Sequence, residues 1–204
     1  MDFERRNFCF ESGDGSYVKL LKGYLDLEAC QRLFDEISTY DVRQSDLKIY
    51  GKMQKTPRKQ AWMADKGVKA DVYAQTPALE WTKLMKKLKK RMEKIIRVEY
   101  VPGYEHFHFN YALFNVYEDG SHYIGYHSDK EVVKGKEIIV SVSLGAARRF
   151  VMKHKQSPLL IDITLEKGDI LIMAGKTQTY WEHSVPKTVK VKEPRINITF
   201  RYAE

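Results

Sequence analysis

His127, Asp129 and His183 are the residues whose types and spacing point most directly to chemistry in this chain of 204 residues. Two imidazoles and one carboxylate can occupy one face of a non-haem Fe(II) ion, leaving the other face open for a co-substrate and oxygen. In a strand, residues i and i+2 point to the same side, so the H-x-D pair fits a strand or its end. His183 belongs to a distant segment that the fold has to bring back. On spacing alone the competing reading is a pair of surface or turn histidines beside an aspartate, because H-x-D followed by a later His is common.

Two further segments bear on that choice. In Ala112-Leu113-Phe114-Asn115-Val116-Tyr117, the period-2 rule puts Leu113, Asn115 and Tyr117 on one strand face. In Pro194-Arg195-Ile196-Asn197-Ile198-Thr199-Phe200-Arg201, the residues Arg195, Asn197, Thr199 and Arg201 share one face, and Ile196, Ile198 and Phe200 share the other. A strand with two arginines and an asparagine on one face calls for an anionic partner, and a guanidinium suits a carboxylate through paired hydrogen bonds. The alternative is an edge strand with a solvated polar face.

Taken together, Asn-x-Tyr, His-x-Asp, the distal His and the R-I-N-I-T-F-R segment resemble the AlkB family of Fe(II)/2-oxoglutarate-dependent dioxygenases, from about Leu47 to Tyr202. The resemblance is to the homologue 2 type, which repairs alkylated bases in double-stranded DNA. It is carried by Tyr50-Gly51-Lys52, Pro57-Arg58-Lys59-Gln60, Ser141–Ala146 and Phe150–Lys155. It implies that His127, Asp129 and His183 hold Fe(II). It also implies that Arg195 takes the distal carboxylate of 2-oxoglutarate, with Tyr117 and Asn197 adding hydrogen bonds, and that Asn115 and Arg201 contact the carboxylate nearer the metal. A buried dianion is costly unless it is paired and hydrogen-bonded, so these residue types make physical sense there. The implied reaction consumes 2-oxoglutarate and O2, yields succinate and CO2, and hydroxylates an N-methyl group that leaves as formaldehyde. Trp181 and Glu182 are expected to pack and to meet solvent.

A base inside a duplex has to be flipped out to reach such a metal. By resemblance, Ile49-Tyr50-Gly51 is a hairpin finger, with Tyr50 as an aromatic wedge in the vacated stack where the family more usually has Phe. Arg58 and Lys59, then Arg148, Lys153, Lys155, Lys187 and Lys190, are candidate contacts to the DNA backbone. Base recognition departs from the family pattern: Lys69-Ala70-Asp71-Val72-Tyr73-Ala74 stands where the homologue 2 type has an aromatic-rich segment. Tyr73 is then a candidate stacking residue, Asp71 a charge favouring cationic bases, and Glu131 the match to a family acid that reads the base edge. Lys130 replaces what is usually an acid.

Composition agrees with a nucleic-acid partner. Lys and Arg number 35 against 27 Asp and Glu, a net charge of +8, and a positive field attracts polyanions. Lys86, Lys87, Lys89, Lys90 and Arg91 read instead as the solvated face of a helix, because Trp81, Leu84, Met85, Leu88, Met92 and Ile95 follow the helical period. Cys9 and Cys30 lack metal-ligand spacing and read as reduced thiols. No apolar run approaches a membrane span, and the N-terminus lacks a signal-like apolar region. The expectation is one intracellular domain, nuclear in a eukaryote and otherwise cytoplasmic, and monomeric, since no heptad run demands an oligomer.

The elements that have to position these residues follow from pattern. Residues up to about 20 suggest a short strand or an irregular arm. Asp26 can cap a helix running to about Thr39, with Leu27, Leu33, Phe34 and Ile37 inward. A loop or hairpin region then extends to residue 60, and Pro77 suits the first turn of a helix to about Ile96. Strands are expected at Phe107–Tyr117, Ile138–Leu144, Arg149–His154, Leu159–Thr164, Asp169–Met173 and Arg195–Tyr202, with turns at 118–121 and 166–169. Helices before strands predict α+β: N-terminal helices and a nucleotide-recognition region over about 1–105, backing a double-stranded β-helix, or jelly roll, of two antiparallel sheets over about 106–204. DNA demethylation at 1-methyladenine and 3-methylcytosine leads. Demethylation of single-stranded DNA or RNA is favoured by the altered Ala70–Tyr73 segment. A non-catalytic nucleic-acid binder would need neither three ligands nor both arginines, and protein hydroxylation draws nothing from the basic clusters.

Overall fold

The computed structural model describes residues 7–49, 52–68, 77–99, 101, 103–104, 106–129 and 133–204, with the backbone alone at 47–49. Its elements run β1 (Phe8–Glu11), β2 (Ser16–Leu21), α1 (Leu27–Ser38), β3 (Asp46–Ile49), β4 (Lys52–Lys55), β5 (Lys59–Ala64), α2 (Lys83–Val98), β6 (Tyr111–Tyr117), β7 (Ile124–His127), β8 (Ile138–Gly145), β9 (Arg148–His154), β10 (Leu160–Leu165), β11 (Ile170–Gly175), the turn α3 (Thr177–Tyr180), β12 (Trp181–Val185) and β13 (Arg195–Arg201). A major sheet runs β1-β2-β11-β8-β13-β6-β5, a minor sheet β10-β9-β12-β7, and β3 pairs with β4 alone. The two antiparallel sheets are a jelly roll.

The six expected strands are present within a few residues of their expected ends. The N-terminal half is more than a layer of helices, since β1, β2 and β5 join the major sheet. Asp26 caps α1 by accepting the Ala29 N–H at 2.7 Å. Leu33 and Ile37 face inward, whereas Leu27 is 66% exposed because it sits in the first turn, off the buried stripe. The second helix starts later than Pro77 predicts. Thr82 caps it by accepting the Met85 N–H. Residues 77–81 precede it, with Leu79 N–H bonded to the Trp62 carbonyl, so Trp81 stacks on Phe200 from outside the helix. Met85, Leu88, Met92 and Ile95 are buried as expected, and most of the lysines face solvent.

Strand β13 decides where the site lies. It is central, paired with β8 on one side and β6 on the other, so the edge-strand reading fails. Ile196, Ile198 and Phe200 enter the core under α1 and α2, each worth about 1.5–3 kcal/mol of burial. The opposite face, with Arg195, Asn197, Thr199 and Arg201, is buried towards the minor sheet. Part of that inter-sheet space is packed by Ile139, Leu171, Met173, Phe150, Met152 and Trp181. Gly145 lets β13 enter next to β8: its φ is +76°, and a Cβ there would sit 2.3 Å from the Pro194 carbonyl oxygen.

Candidate active site

Between the sheets lies a cavity of about 380 Å³, lined among others by Arg58, Gln60, Asn115, Tyr117, His127, Asp129, His183, Arg195, Asn197 and Arg201. His127 is the last residue of β7, and His183 sits directly across from it on β12. Strand pairing thus brings the distal histidine back, and the rings lie 4.2 Å apart between centroids. Asp129 follows β7 by two residues. One ligand atom from each of the three lies within 4.8 Å of the others. Among the described residues, this is the one group of three or more His, Cys, Asp or Glu side chains that could hold a metal.

The protonation states suit a metal. His127 Nδ1 lies 3.0 Å from the Gly125 carbonyl, which can only accept, so Nδ1 is the donor there and Nε2 is the nitrogen left for the ligand cluster. Nε2 is 3.6 Å from Asp129 Oδ1. Burial, with His127 beside it, pulls His183 down to about 3 against the opposing pull of Asp129, leaving a neutral imidazole. Burial would raise Asp129, but the charge of Arg201, whose Nη1 is 3.8 Å away, leads the neighbours that hold it at about 2. Two imidazoles and a carboxylate converging on one point fit Fe(II).

The anion pocket is equally specific. Arg195 is 1% exposed. Its Nη2 donates to Ser143 Oγ at 3.1 Å, while Nε and Nη1 are buried with no hydrogen-bond partner among the described residues. Burial pulls its pKa down, Tyr117 pulls it back up and Arg148 adds to the fall, leaving about 10. A buried cation with donors to spare is costly alone and fits a carboxylate. Tyr117 has the Arg195 guanidinium 5.4 Å from its ring centroid and that of Arg148 at 5.5 Å. Asn115 Oδ1 accepts from Arg58 Nε at 2.8 Å and Gln60 Nε2 at 3.0 Å, which turns its amide N–H groups away from these two donors. Asn197 spends its amide nitrogen on Ser141 Oγ and the Val142 carbonyl, so it braces β8 as well as lining the cavity.

Several expected DNA contacts lie elsewhere. Arg148 is 2% exposed and donates to the carbonyls of Asp119, His122 and Pro186. It is a buried clamp on two loops, which corrects its reading as a phosphate contact; Arg149 next to it points out and pairs with Asp162. Arg58 turns into the cavity, which strand period could have suggested, since Arg58 and Gln60 are i and i+2. Lys59 pairs with Glu118 at 2.6 Å, Lys187 sits over the Tyr123 ring, and Lys155 donates to the Gln178 and Thr179 carbonyls. Lys153 and Lys190 are exposed. The hairpin β3–β4 forms as expected, with Ile49 paired to Lys52 in the backbone ladder. Tyr50, Gly51, Asp71, Tyr73, Lys130 and Glu131 lie outside the described residues. Phe150, stacked on His183, and Gln178, bonded to Asp129, carried no signal in the sequence that spacing could reveal. Trp181 is buried as expected, edge-on to Phe10.

The chain belongs to the 2OG-Fe(II) oxygenase superfamily, whose sequence profile matches residues 17–201. Membership makes Fe(II) its metal, and 2-oxoglutarate and O2 its co-substrates, in agreement with the site. Within that superfamily its relatives are AlkB homologues. DNA oxidative demethylase ALKBH2 of Homo sapiens is 32% identical over 96% of this chain and 76% of its own length. Alpha-ketoglutarate-dependent dioxygenase alkB homolog 3 of Bos taurus is 32% identical over 91% of this chain and 66% of its own. The ALKBH2 of Arabidopsis thaliana is 29% identical over 93% and 67%. The chain thus spans about two thirds to three quarters of the length of these relatives. The solved structure of OsALKBH1 superposes with a TM-score of 0.61 over 95% of this chain and 99% of that one; at 20% identity it supports the fold. No helix among the described residues is long and apolar enough to cross a membrane.

Proposed function

We propose that the protein removes N-methyl groups oxidatively from alkylated bases in DNA, 1-methyladenine and 3-methylcytosine, acting on duplex by flipping the base. The observation that carries this is the buried Arg195 guanidinium, its Nε and Nη1 without a hydrogen-bond partner among the described residues, sharing one cavity with the converging ligand atoms of His127, Asp129 and His183. Relatives named DNA oxidative demethylase support DNA as the substrate. Bound Fe(II), with 2-oxoglutarate and O2, supplies the oxidation of the methyl carbon, after which the base is released as its unmethylated form with formaldehyde.

The chain's own residues bind, orient and shield. His127, Asp129 and His183 would hold the metal, Asp129 as carboxylate and His183 as neutral imidazole. Arg195 would take one carboxylate of 2-oxoglutarate, with Tyr117 against its guanidinium. Arg201 and Asn115 would meet the carboxylate nearer the metal. Ile124, Phe150, Met173 and Val185 close the cavity with apolar surface, which limits water near the reacting carbon. Tyr50, which lies between β3 and β4 in sequence, would fill the gap left by the flipped base, with Glu131, Asp71 and Tyr73 at the base itself. Lys153 and Lys190 are the exposed cations assigned here to phosphates.

Lesion loss is measured on duplex and single-stranded oligonucleotides carrying one 1-methyladenine, for wild type and Tyr50→Ala. Repair of duplex by wild type, with a selective loss of duplex activity in Tyr50→Ala, is expected. Equal rates on both strands' forms in both proteins point to single-stranded DNA or RNA instead, the reading that the altered 70–73 segment favours.

A further inference from the structure

We infer that Gln178 is a positioning residue for the metal-binding carboxylate, acting through the backbone of Asp129; this rests on the reading of His127, Asp129 and His183 as Fe(II) ligands. Asp129 lies two residues past the end of β7, where the sheet ladder no longer fixes it. Its N–H donates to Gln178 Oε1 at 2.9 Å. Next to it, Ser128 Oγ donates to the Trp181 carbonyl at 2.7 Å. Both bonds run to one short segment, the turn α3 and the first residue of β12, and that strand carries His183 two residues later. The turn therefore ties the His-x-Asp arm to the strand of the third ligand.

The turn is itself held on several sides. Thr179 and Tyr180 N–H groups close on the Lys176 carbonyl, and Lys155 N–H bonds the Tyr180 carbonyl at 2.8 Å. Lys155 Nζ adds bonds to the Gln178 and Thr179 carbonyls at 3.1 and 2.9 Å. Gln178 Nε2 donates to buried Thr177 Oγ1 at 3.3 Å, which aims the amide oxygen at Asp129. The Asp129 carboxylate has His127 Nε2 at 3.6 Å and Arg201 Nη1 at 3.8 Å, both beyond hydrogen-bond range, so the backbone bond to Gln178 is what places this residue. Groups that orient metal ligands commonly govern affinity 10–100-fold.

The test titrates metal-free protein with Mn(II) by calorimetry, for wild type, Gln178→Leu, Gln178→Glu and Asp129→Ala, with thermal melting of each metal-free protein. The expected result is Mn(II) binding by wild type, none by Asp129→Ala, a roughly 10–100-fold weaker Kd for Gln178→Leu, and near wild-type affinity for Gln178→Glu, which keeps an acceptor oxygen. Gln178→Met replaces Gln178→Leu if the latter folds poorly. Wild-type affinity in the folded Leu or Met variant overturns the role of Gln178 while leaving the metal site standing. Equal weakening in Glu and Leu, alongside equal loss of melting temperature, also overturns it, since that is the mark of a purely structural residue. Failure of wild type to bind, or unchanged binding by Asp129→Ala, sinks the metal-site reading itself.

Discussion

Replacing Arg195 with Met separates two effects that ordinarily travel together. In the protein without co-substrate, the Arg195 guanidinium is 1% exposed and satisfied by Ser143 Oγ at Nη2, with Nε and Nη1 unpartnered among the described residues. Burial is the main reason its pKa falls from 12.5 to about 10, a shift that corresponds to roughly 3 kcal/mol carried by the folded state at neutral pH. Met fills similar space without that charge, so Arg195→Met should melt no lower than wild type, and up to a few degrees higher. The same substitution removes the donors that a carboxylate would meet. Truncating one partner of a buried, hydrogen-bonded charge pair costs about 2–5 kcal/mol, so 2-oxoglutarate affinity should fall roughly 30- to 4,000-fold. Calorimetric titration of 2-oxoglutarate into Mn(II)-loaded protein, with melting curves of the free proteins, reads both effects. Unchanged 2-oxoglutarate affinity in a folded, Mn(II)-binding Arg195→Met protein would refute the assignment. A large loss of stability without ligand would refute the claim that the free guanidinium is a burden.

Other outcomes follow from the same geometry. Lys153→Ala should weaken DNA binding uniformly across sequences and reduce the salt slope by about 1, read from affinities across a salt series; an unchanged slope removes Lys153 from the interface. Arg148→Met should lower the melting temperature by several degrees through loss of three carbonyl bonds and leave the salt slope unchanged. Asp14 tests pH linkage: burial opposes ionisation, but Ser12, Ser16 and His154 hold it at about 2 against a model-peptide 3.8. A lowered carboxylate stabilises the fold above about pH 4 and loses that contribution as pH falls through about 2, so Asp14→Asn, discounted for solvent screening, should cost about 1 kcal/mol at pH 7 and almost nothing near pH 2 in urea melts. A gap that stays constant with pH would exclude that linkage.

How much was legible in advance depended on whether a residue's role is set by local period or by partners distant in sequence. The two faces of β13 were readable because alternation alone separates Arg195, Asn197, Thr199 and Arg201 from Ile196, Ile198 and Phe200. The pairing of His127 with His183 was not, since nothing local says that β7 and β12 are neighbours; motif order in a known family supplied it. The start of α2 was misplaced because Pro77 is compatible with a first turn, while the Leu79–Trp62 bridge that keeps the segment extended is a tertiary contact. Basic residues were the least legible. Arg148 and Arg149 are adjacent and chemically identical, yet one faces the buried loops and the other solvent, and only strand phase tells them apart. The intramolecular partners of Lys59, Lys155 and Lys187 lie far off in sequence or across a turn, so spacing does not reveal them.

Formaldehyde and succinate released from a duplex oligonucleotide bearing one 1-methyladenine, with and without 2-oxoglutarate, test the central claim most directly. The account predicts equimolar formaldehyde and lesion loss, dependent on Fe(II) and 2-oxoglutarate and absent in Asp129→Ala. Succinate formation with duplex, single-stranded DNA and RNA all left methylated would contradict the assigned substrate. No turnover by protein that binds Fe(II) and 2-oxoglutarate would contradict the assigned chemistry.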